Sequence, residues 1–317
     1  MCAWNASSSS SWRPSPNSRS VPENRSKSIL DPLVLARLQN LELRARTVAE
    51  GFISGLHQSP FRGYSLEFAE HREYSPGDEI RHIDWKVYGR TDRFFVKQFE
   101  QESNLRVNLL VDLSGSMNFR GGRAPLSKFD TAAVLAAGLA ILGLRQNDSA
   151  GLALLGESGV RSVPPRSSRS HLNVILDALV SASPGGGTAL SRGLETVALS
   201  ARKRGLFILF SDLLDDPGSV LRSLKFLQFK RNEIKVVQLL DPDELDFPFS
   251  GSVEFTSLED GAKLVLDAGS YREDYRKAVR RLIERYRAAL RDAGIEYYCH
   301  STDEPPDSVL RSVLRSR

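Results

Sequence analysis

The chain has 317 residues, 41% of them hydrophobic and 26% charged, and its formal net charge is +4. This composition is typical of a globular protein with a full hydrophobic core, and the weak net charge does not indicate a nucleic-acid-binding protein. The two cysteines, Cys2 and Cys299, exclude a framework of disulfides and a cysteine-ligated metal cluster.

The N-terminal third is predicted to contain a tail, a helix and a small β-rich module. Residues 1–28 are rich in Ser, Pro, Asn and Arg, which predicts a disordered tail. Asp31-Pro32 is typical of a helix start, and the apolar spacing after it predicts an amphipathic helix to about Ala49. Turn residues and alternation between Arg62 and Ser103 indicate short strands. We therefore expect residues 29–104 to form one helix plus a β-rich module.

From Leu105 onwards, strand-like and helix-like segments alternate. The predicted strands are 105–112, 150–155, 160–163, 205–210, 234–240 and 295–299, and the predicted helices are 128–146, 171–181, about 189–203, 220–229 and 271–291. This alternation predicts an α/β domain with a mostly parallel sheet flanked by helices, over residues 105–301. Glu259-Asp260-Gly261 predicts a hairpin inserted at about 247–267, and residues 302–317 are predicted to be a helical tail.

The predicted localisation is cytoplasmic. Met1 is followed by a polar, serine-rich segment instead of the apolar core of a signal peptide. The apolar runs are shorter than a bilayer-spanning helix requires, so no membrane insertion is expected.

Oxygen-bearing side chains follow two of the predicted strands. Asp112, Ser114 and Ser116 stand at alternating positions after the first strand, and Asp212 ends the strand that opens at Gly205. If the chain winds to one side of the first strand and then returns to the other side, these two ends become neighbours. Thr188, on a glycine-rich turn, can supply a fifth oxygen. Hard cations prefer such ligands, although serines after a strand also serve simply as helix caps.

These residues carry a resemblance to known proteins. Asp112-Leu-Ser114-Gly-Ser116, with Thr188 and Asp212, resembles the metal-ion-dependent adhesion site of von Willebrand factor A (VWA) domains. Three preceding motifs resemble the bacterial and archaeal family of unknown function numbered fifty-eight, whose members carry a VWA-like domain. They are Arg72-Glu-Tyr-Ser-Pro-Gly-Asp-Glu79, Ile83-Asp-Trp-Lys86 and Arg90-Thr-Asp-Arg-Phe94. The resemblance covers about residues 30–317.

The resemblance implies a VWA-like, Rossmann-type fold and a role for each residue of the motif. Ser114 and Ser116 would coordinate Mg²⁺ (or Mn²⁺) directly, Thr188 directly or through water, and Asp112 and Asp212 mostly through water. Such a cation is left under-neutralised, so it recruits an acidic side chain from a protein partner. The resemblance also implies a MoxR-type AAA+ ATPase as working partner. Many VWA domains have glycine where this chain has Leu213, which affects the expected shape of the loop.

The sequence leaves two alternative functions open. A Mg²⁺-dependent phosphoryl-transfer hydrolase of haloacid-dehalogenase type also places an aspartate after its first parallel strand. It needs a second acid two residues later, and Ser114 stands there, where a hydroxyl cannot act as the acid or base. Nucleic-acid binding through the basic segments is the other alternative. The sequence lacks the Gly-x-x-x-x-Gly-Lys-Ser/Thr loop of an ATPase, so any ATPase activity must belong to another subunit. The preferred prediction is a non-enzymatic, metal-dependent binding module.

Several further polar groups have structural interpretations. One interpretation of Asp78, Asp84, Asp92 and Trp85 is a second functional surface. We favour the structural interpretation, in which Pro76-Gly77-Asp78 forms a turn and Trp85 lies in the core. Asp215 and Asp216 are predicted to cap the following helix. The five histidines have no metal-ligand spacing and no serine or cysteine partner in the sequence pattern.

Overall fold

The computed structural model describes residues 4–7, 40–57, 72–73, 88–89, 93–96, 105–187 and 189–314. The chain forms two compact units, one of Met1–Ser54 with Leu105–Arg317 and the other of Gly55–Asn104. The predicted helix start at Asp31-Pro32 and the predictions for Asp78, Asp84, Trp85 and Asp92 lie outside the described residues.

The described part of the chain contains eleven strands, eight α-helices and a short 3-10 helix. The strands are β1 (Trp4–Ser7), β2 (Arg72–Glu73), β3 (Phe95–Val96), β4 (Arg106–Asp112), β5 (Ser149–Gly156), β6 (Gly159–Arg166), β7 (Leu206–Ser211), β8 (Glu233–Leu240), β9 (Ser252–Ser257), β10 (Lys263–Asp267) and β11 (Glu296–Ser301). The α-helices are α1 (Leu41–His57), α2 (Lys128–Arg145), α3 (His171–Val180), α4 (Leu190–Ser200), α5 (Pro217–Phe229), α6 (Pro242–Asp246), α7 (Ala268–Asp292) and α8 (Pro306–Leu314). The 3-10 helix, Gly115–Asn118, follows β4.

The main sheet has six strands in the order β11-β8-β7-β4-β5-β6. All neighbours in it are parallel except β5 and β6, which are joined by a tight turn and run antiparallel. This mostly parallel sheet between helices confirms the predicted α/β class. After β6 the chain returns past β4 to form β7 on the opposite side, so β4 lies at the point where the winding direction reverses.

Helices cover both faces of the sheet because its central strands are apolar on both sides. One face packs against α4, α5 and α7, through a core that includes Leu194, Leu224 and Tyr286. On the other face α2 is buried almost all round, as its apolar sequence predicts. Ser127 caps α2 by accepting from the amide of Asp130 at 3.0 Å, and Asp216 caps α5 as predicted. Among the described residues, no helix is long and apolar enough to span a bilayer.

A second, three-stranded sheet has the order β1-β9-β10. Its antiparallel pair β9 and β10 confirms the hairpin predicted around Glu259-Asp260-Gly261. Phe247, Phe255 and Tyr275 pack together beneath this hairpin, with ring centroids 4.5 to 5.6 Å apart. The hairpin thereby rests on α7.

The N-terminal region differs from the prediction in two places. Trp4–Ser7, expected to belong to a disordered tail, forms β1 and pairs antiparallel with β9, with Ala6 opposite Phe255. The helix α1 continues to His57 instead of ending near Ala49. Ala45, Val48 and other apolar side chains of α1 are fully buried, and tertiary packing of this kind extends a helix beyond its sequence signals.

The described part of the smaller unit contains one antiparallel strand pair. In it, β2 pairs with β3, with Arg72 opposite Val96 and Glu73 opposite Phe95. The rings of Tyr88 and Phe94 stack with centroids 4.5 Å apart. Strands were predicted in this region, and these two short segments lie within it.

Candidate metal centre at the switch point of the sheet

The carboxyl ends of β4 and β7 lie side by side. The two strands are parallel neighbours, with Val111 opposite Phe210. Asp112 ends the first strand and Asp212 follows the second, and both residues are only 1% exposed. The sheet topology therefore brings together two carboxylates that are distant in the chain.

Both carboxylate oxygens of Asp112 accept hydrogen bonds. The amide of Ser114 donates to Oδ1 at 2.8 Å, and the hydroxyl of Ser211 donates to Oδ2 at 2.6 Å. These bonds fix the carboxylate at the floor of the site. Burial, together with the charge of Asp212, raises the pKa of Asp112 to about 7. A cation placed beside this group would relieve the cost of its buried charge.

Ser114 and Ser116 present a pair of buried hydroxyls. Their Oγ atoms are 3.0 Å apart, and both residues are at most 1% exposed. Mg²⁺ holds oxygen ligands at about 2.0–2.1 Å in octahedral geometry, which places neighbouring ligands about 2.9 Å from one another. The separation of the two hydroxyls therefore matches that of two adjacent ligands of one Mg²⁺ ion.

The glycine turn before α4 is fastened to the loop that carries the serines. The amide of Gly115 donates to the carbonyl of Gly186 at 3.1 Å, and the amide of Gly185 donates to the carbonyl of Leu113 at 3.0 Å. Gly186 has a φ of +74°, a conformation that favours glycine. Thr188 itself lies outside the described residues, but the turn that leads to it is held against the site.

The hairpin also reaches this loop, through the turn between β9 and β10. A Cβ on Gly115 would stand well inside contact distance of the carbonyl oxygen of Leu258. Only glycine allows so close an approach of two backbones. The requirement for glycine between Ser114 and Ser116 therefore comes from packing against the hairpin.

Lys128, which the sequence pattern did not single out, lies in the same site. Its ammonium donates to Oδ2 of Asp212 at 2.7 Å and to Oε1 of Glu244 at 2.6 Å, and the side chain is fully buried. Burial alone would lower the pKa of this ammonium, but the charges of Asp212 and Glu244 raise it above its usual value, which favours the protonated form. The first residue of an apolar helix gives no local signal for such a role.

Leu213 adopts the backbone conformation expected of the glycine that many VWA domains have at this position. Its φ is +56°, in the left-handed region, and its side chain is fully buried. The hydroxyl of Ser211 accepts from the amide of Leu213 at 2.9 Å, and Oδ1 of Asp212 accepts from the amide of Leu214 at 3.2 Å. Leu213 therefore holds a left-handed conformation that favours glycine, at a cost to its branched side chain.

The donor set fits a hard, oxygen-preferring cation such as Mg²⁺ or Mn²⁺ better than a metal that prefers nitrogen or sulfur ligands. Among the described residues, no group of three His, Cys, Asp or Glu side chains is arranged to hold a metal. The site instead offers two hydroxyls and the carboxylates of Asp112 and Asp212, all of them oxygen ligands. Lys128 already neutralises part of the charge of Asp212. A Mg²⁺ ion would therefore have Ser114 and Ser116 as its direct protein ligands. The hydrogen-bonded carboxylate of Asp112 would contact the ion through a bridging water.

A serine, histidine and acid also meet near the end of β11. Nδ1 of His300 lies 2.7 Å from Oε2 of Glu304, and Nε2 lies 2.8 Å from Oγ of Ser312. The sequence pattern gave no sign of this group. The Ser312 hydroxyl also lies 2.7 Å from the carbonyl of Val309 and donates to it, so its single hydrogen is engaged within α8. This geometry ties β11 to α8 and does not present an activated nucleophile.

Comparisons with known proteins identify the same family as the motifs between Arg72 and Phe94. The family model described as "Protein of unknown function DUF58" matches residues 70–285. Proteins of Mycobacterium tuberculosis and Mycobacterium bovis, each named an uncharacterized protein, are 30% identical over 234 residues, which is 73% of this chain and 73% of each relative.

Solved structures show weaker similarity. An aerotolerance-related membrane protein from Bacteroides fragilis is 17% identical over 66% of this chain and 96% of that one, with a TM-score of 0.44. BatB from Bacteroides thetaiotaomicron is 17% identical over 67% of this chain and 100% of that one, also with a TM-score of 0.44. The SpRpn10 VWA domain is 11% identical over 66% of this chain and 94% of that one, with a TM-score of 0.37.

Proposed function

The chain belongs to the DUF58 family, and we propose that it is a protein-binding adaptor that captures an acidic group of its partner through Mg²⁺. The observation that carries this proposal is the pair of buried hydroxyls, Ser114 and Ser116, held 3.0 Å apart beside two aspartates. A pair of neutral ligands leaves most of the charge of the cation available, so a carboxylate from another protein completes the coordination.

Each residue of the site has a role in this proposal. Ser114 and Ser116 bind the cation directly, and Asp112 accepts hydrogen bonds from metal-bound water. Thr188 supplies a further oxygen from the glycine-rich turn. Asp212 contributes through water, and its bond to Lys128 limits how much negative charge it offers to the metal. Mn²⁺ is expected to substitute for Mg²⁺, because it accepts the same oxygen ligands.

The proposed working partner is a MoxR-type AAA+ ATPase. Support comes from the family resemblance and from the sequence, which has no Gly-x-x-x-x-Gly-Lys-Ser/Thr loop to bind ATP phosphates. In this assignment the ATPase performs the chemical work, and the metal site recognises an acidic side chain.

Binding is favoured over hydrolysis by the identity of Ser114. A phosphoryl-transfer hydrolase of haloacid-dehalogenase type needs a carboxyl group at this position to protonate the leaving group. The Ser114 hydroxyl is instead paired with the Ser116 hydroxyl, an arrangement suited to coordination. We therefore propose that the chain is not an enzyme.

The first test is calorimetric titration of Mg²⁺ and Mn²⁺ into chelator-treated protein. We expect saturable binding at one site in the wild type and none in Ser114→Ala. Ser181→Ala, which removes a hydroxyl from an exposed helix end, is the matched control and should bind as the wild type does. Equal binding by Ser114→Ala and the wild type would contradict the assigned ligands.

The second test concerns the partner. The MoxR-type ATPase of the same organism is passed over immobilised protein in Mg²⁺ or in EDTA, with Asp112→Asn in parallel. We expect retention only in Mg²⁺ and only by the wild type, with unchanged circular dichroism of the variant. Retention in EDTA would reject metal-dependent capture, and failure of the ATPase alone would reject this partner but not the metal site.

A further inference from the structure

Three exposed apolar side chains lie at the end of the sheet opposite the metal centre. Leu199 lies in the last turn of α4 and is 70% exposed, and Phe226 and Phe229 on the last turn of α5 are 38% and 85% exposed. Exposure of a phenyl ring to water is unfavourable in free energy, and contact with another apolar phase would remove this cost.

Basic residues lie next to these three along the chain. The short segments 199–204 and 225–233 contain six cations, Arg202, Lys203, Arg204, Lys225, Lys230 and Arg231, against a single acid, Glu233. None of the six makes an ion pair with another described residue, whereas cations elsewhere on the surface, such as Lys263 with Glu254, do. We call these nine apolar and basic residues the basic–apolar patch.

Hydrogen bonds and a cation–π contact join the two segments into one surface. The ammonium of Lys230 donates to the carbonyl of Ala198 at 2.5 Å and lies 5.6 Å from the ring centroid of Phe226. Next to it, the amide of Gly205 donates to Oδ1 of Asn232 at 3.2 Å, which brings Arg204 beside the turn that holds Arg231. The patch is therefore continuous across the ends of α4 and α5.

The patch and the metal centre lie at opposite edges of the sheet. Arg204 lies just before the start of β7, and Glu233 is the first residue of β8. Asp212, in contrast, follows the last residue of β7. A strand of this length separates the two edges by about 20 Å, at about 3.3 Å per residue. A surface that occupied the patch would leave the metal centre facing away from it.

We propose that the basic–apolar patch binds the surface of an anionic lipid bilayer. Exposed aromatic and aliphatic side chains can contact the acyl chains of such a surface, and neighbouring cations that make no ion pair can bind its anionic headgroups. Leu199 has no ring face to stack on a nucleic-acid base, which makes the set less suited to RNA or DNA. The six like charges also oppose self-association through this face. The proposal does not depend on the metal site.

The test is co-sedimentation of the full chain with vesicles of phosphatidylcholine, with or without about 30% phosphatidylserine, in EDTA. We expect partition onto the phosphatidylserine vesicles that weakens in about 0.5 M NaCl, and little onto pure phosphatidylcholine. Phe229→Ser should weaken partition by about tenfold through the lost apolar contact. Lys203→Glu with Lys225→Glu should weaken it by about a hundredfold, because each reversal changes the patch by two charges.

Arg281→Glu with Arg285→Glu on the exposed face of α7 is the control. It makes the same change in net charge outside the patch and should lose far less partition. Equal losses in the two charge variants would overturn the proposal, since binding would then follow overall charge. Absence of vesicle binding, or retention of single-stranded RNA but not vesicles at equal ionic strength, would also overturn it. Thermal unfolding of Phe229→Ser should match the wild type, because the ring is exposed.

Discussion

Replacing Lys128 with methionine tests the charge balance that the structure assigns to the candidate metal centre. The ammonium is fully buried and bonds to Asp212 at 2.7 Å and to Glu244 at 2.6 Å, and these carboxylates are 1% and 9% exposed. Methionine fills a similar volume but leaves both carboxylates without a counter-ion. We therefore expect Lys128→Met to be strongly destabilised.

The size of the effect follows from burial. Removing one partner of a buried ion pair costs about 3–5 kcal/mol, because the remaining charge stays in a low-dielectric interior. Here two acids lose the same partner, so the loss should reach at least that range. Against a total stability of about 5–15 kcal/mol, this shift is large enough to be measured by urea unfolding followed by circular dichroism in EDTA.

Two further variants make the result specific. Lys263→Met removes an exposed ion pair with Glu254, whose side chains are 63% and 38% exposed, and should cost less than about 1 kcal/mol. Adding Glu244→Gln to Lys128→Met removes one of the two orphaned charges and should restore part of the stability. If Lys128→Met lost no more than Lys263→Met, the argument that Lys128 neutralises this site would be refuted.

Substitutions at three other positions address the loops of the site. Gly115→Ala should weaken Mg²⁺ binding in calorimetry and lower the melting temperature, because its Cβ would collide with the carbonyl of Leu258; wild-type values would contradict this packing. Leu213→Gly should be more stable than Leu213→Ala by about 1 kcal/mol in urea unfolding, because the φ of +56° at this position favours glycine. In a helix or strand interior the alanine variant would be the more stable one. Arg123→Ala loses a 2.6 Å ion pair with Asp243, whose side chain is 7% exposed, and a 2.7 Å pair with Asp246. It should speed proteolysis of the 119–127 loop and lower the free energy of unfolding by about 1–3 kcal/mol, and an unchanged cleavage rate would count against this tether.

The sequence by itself determined the order and type of the elements in the main domain. Alternating apolar strands and amphipathic helices encode the α/β class locally, because side-chain period and turn residues act within a few positions. The hairpin at Glu259-Asp260-Gly261 and the helix cap at Asp216 are local in the same sense and were predicted correctly. The motifs between Arg72 and Phe94 were also sufficient to predict the family that the comparisons confirm.

The tertiary structure alone decided which distant groups meet. Lys128 pairs with acids 84 and 116 positions away, and no local pattern specifies the partner of a buried ammonium. The pairing of β1 with β9 likewise joins the two ends of a long stretch of chain, so a polar segment that lacked strand signals became a strand by adding to an existing edge. The metal ligands remain a prediction from the sequence. Their hydroxyl spacing, the counter-ion beside them and the glycine required against the hairpin follow from the packing of the sheet.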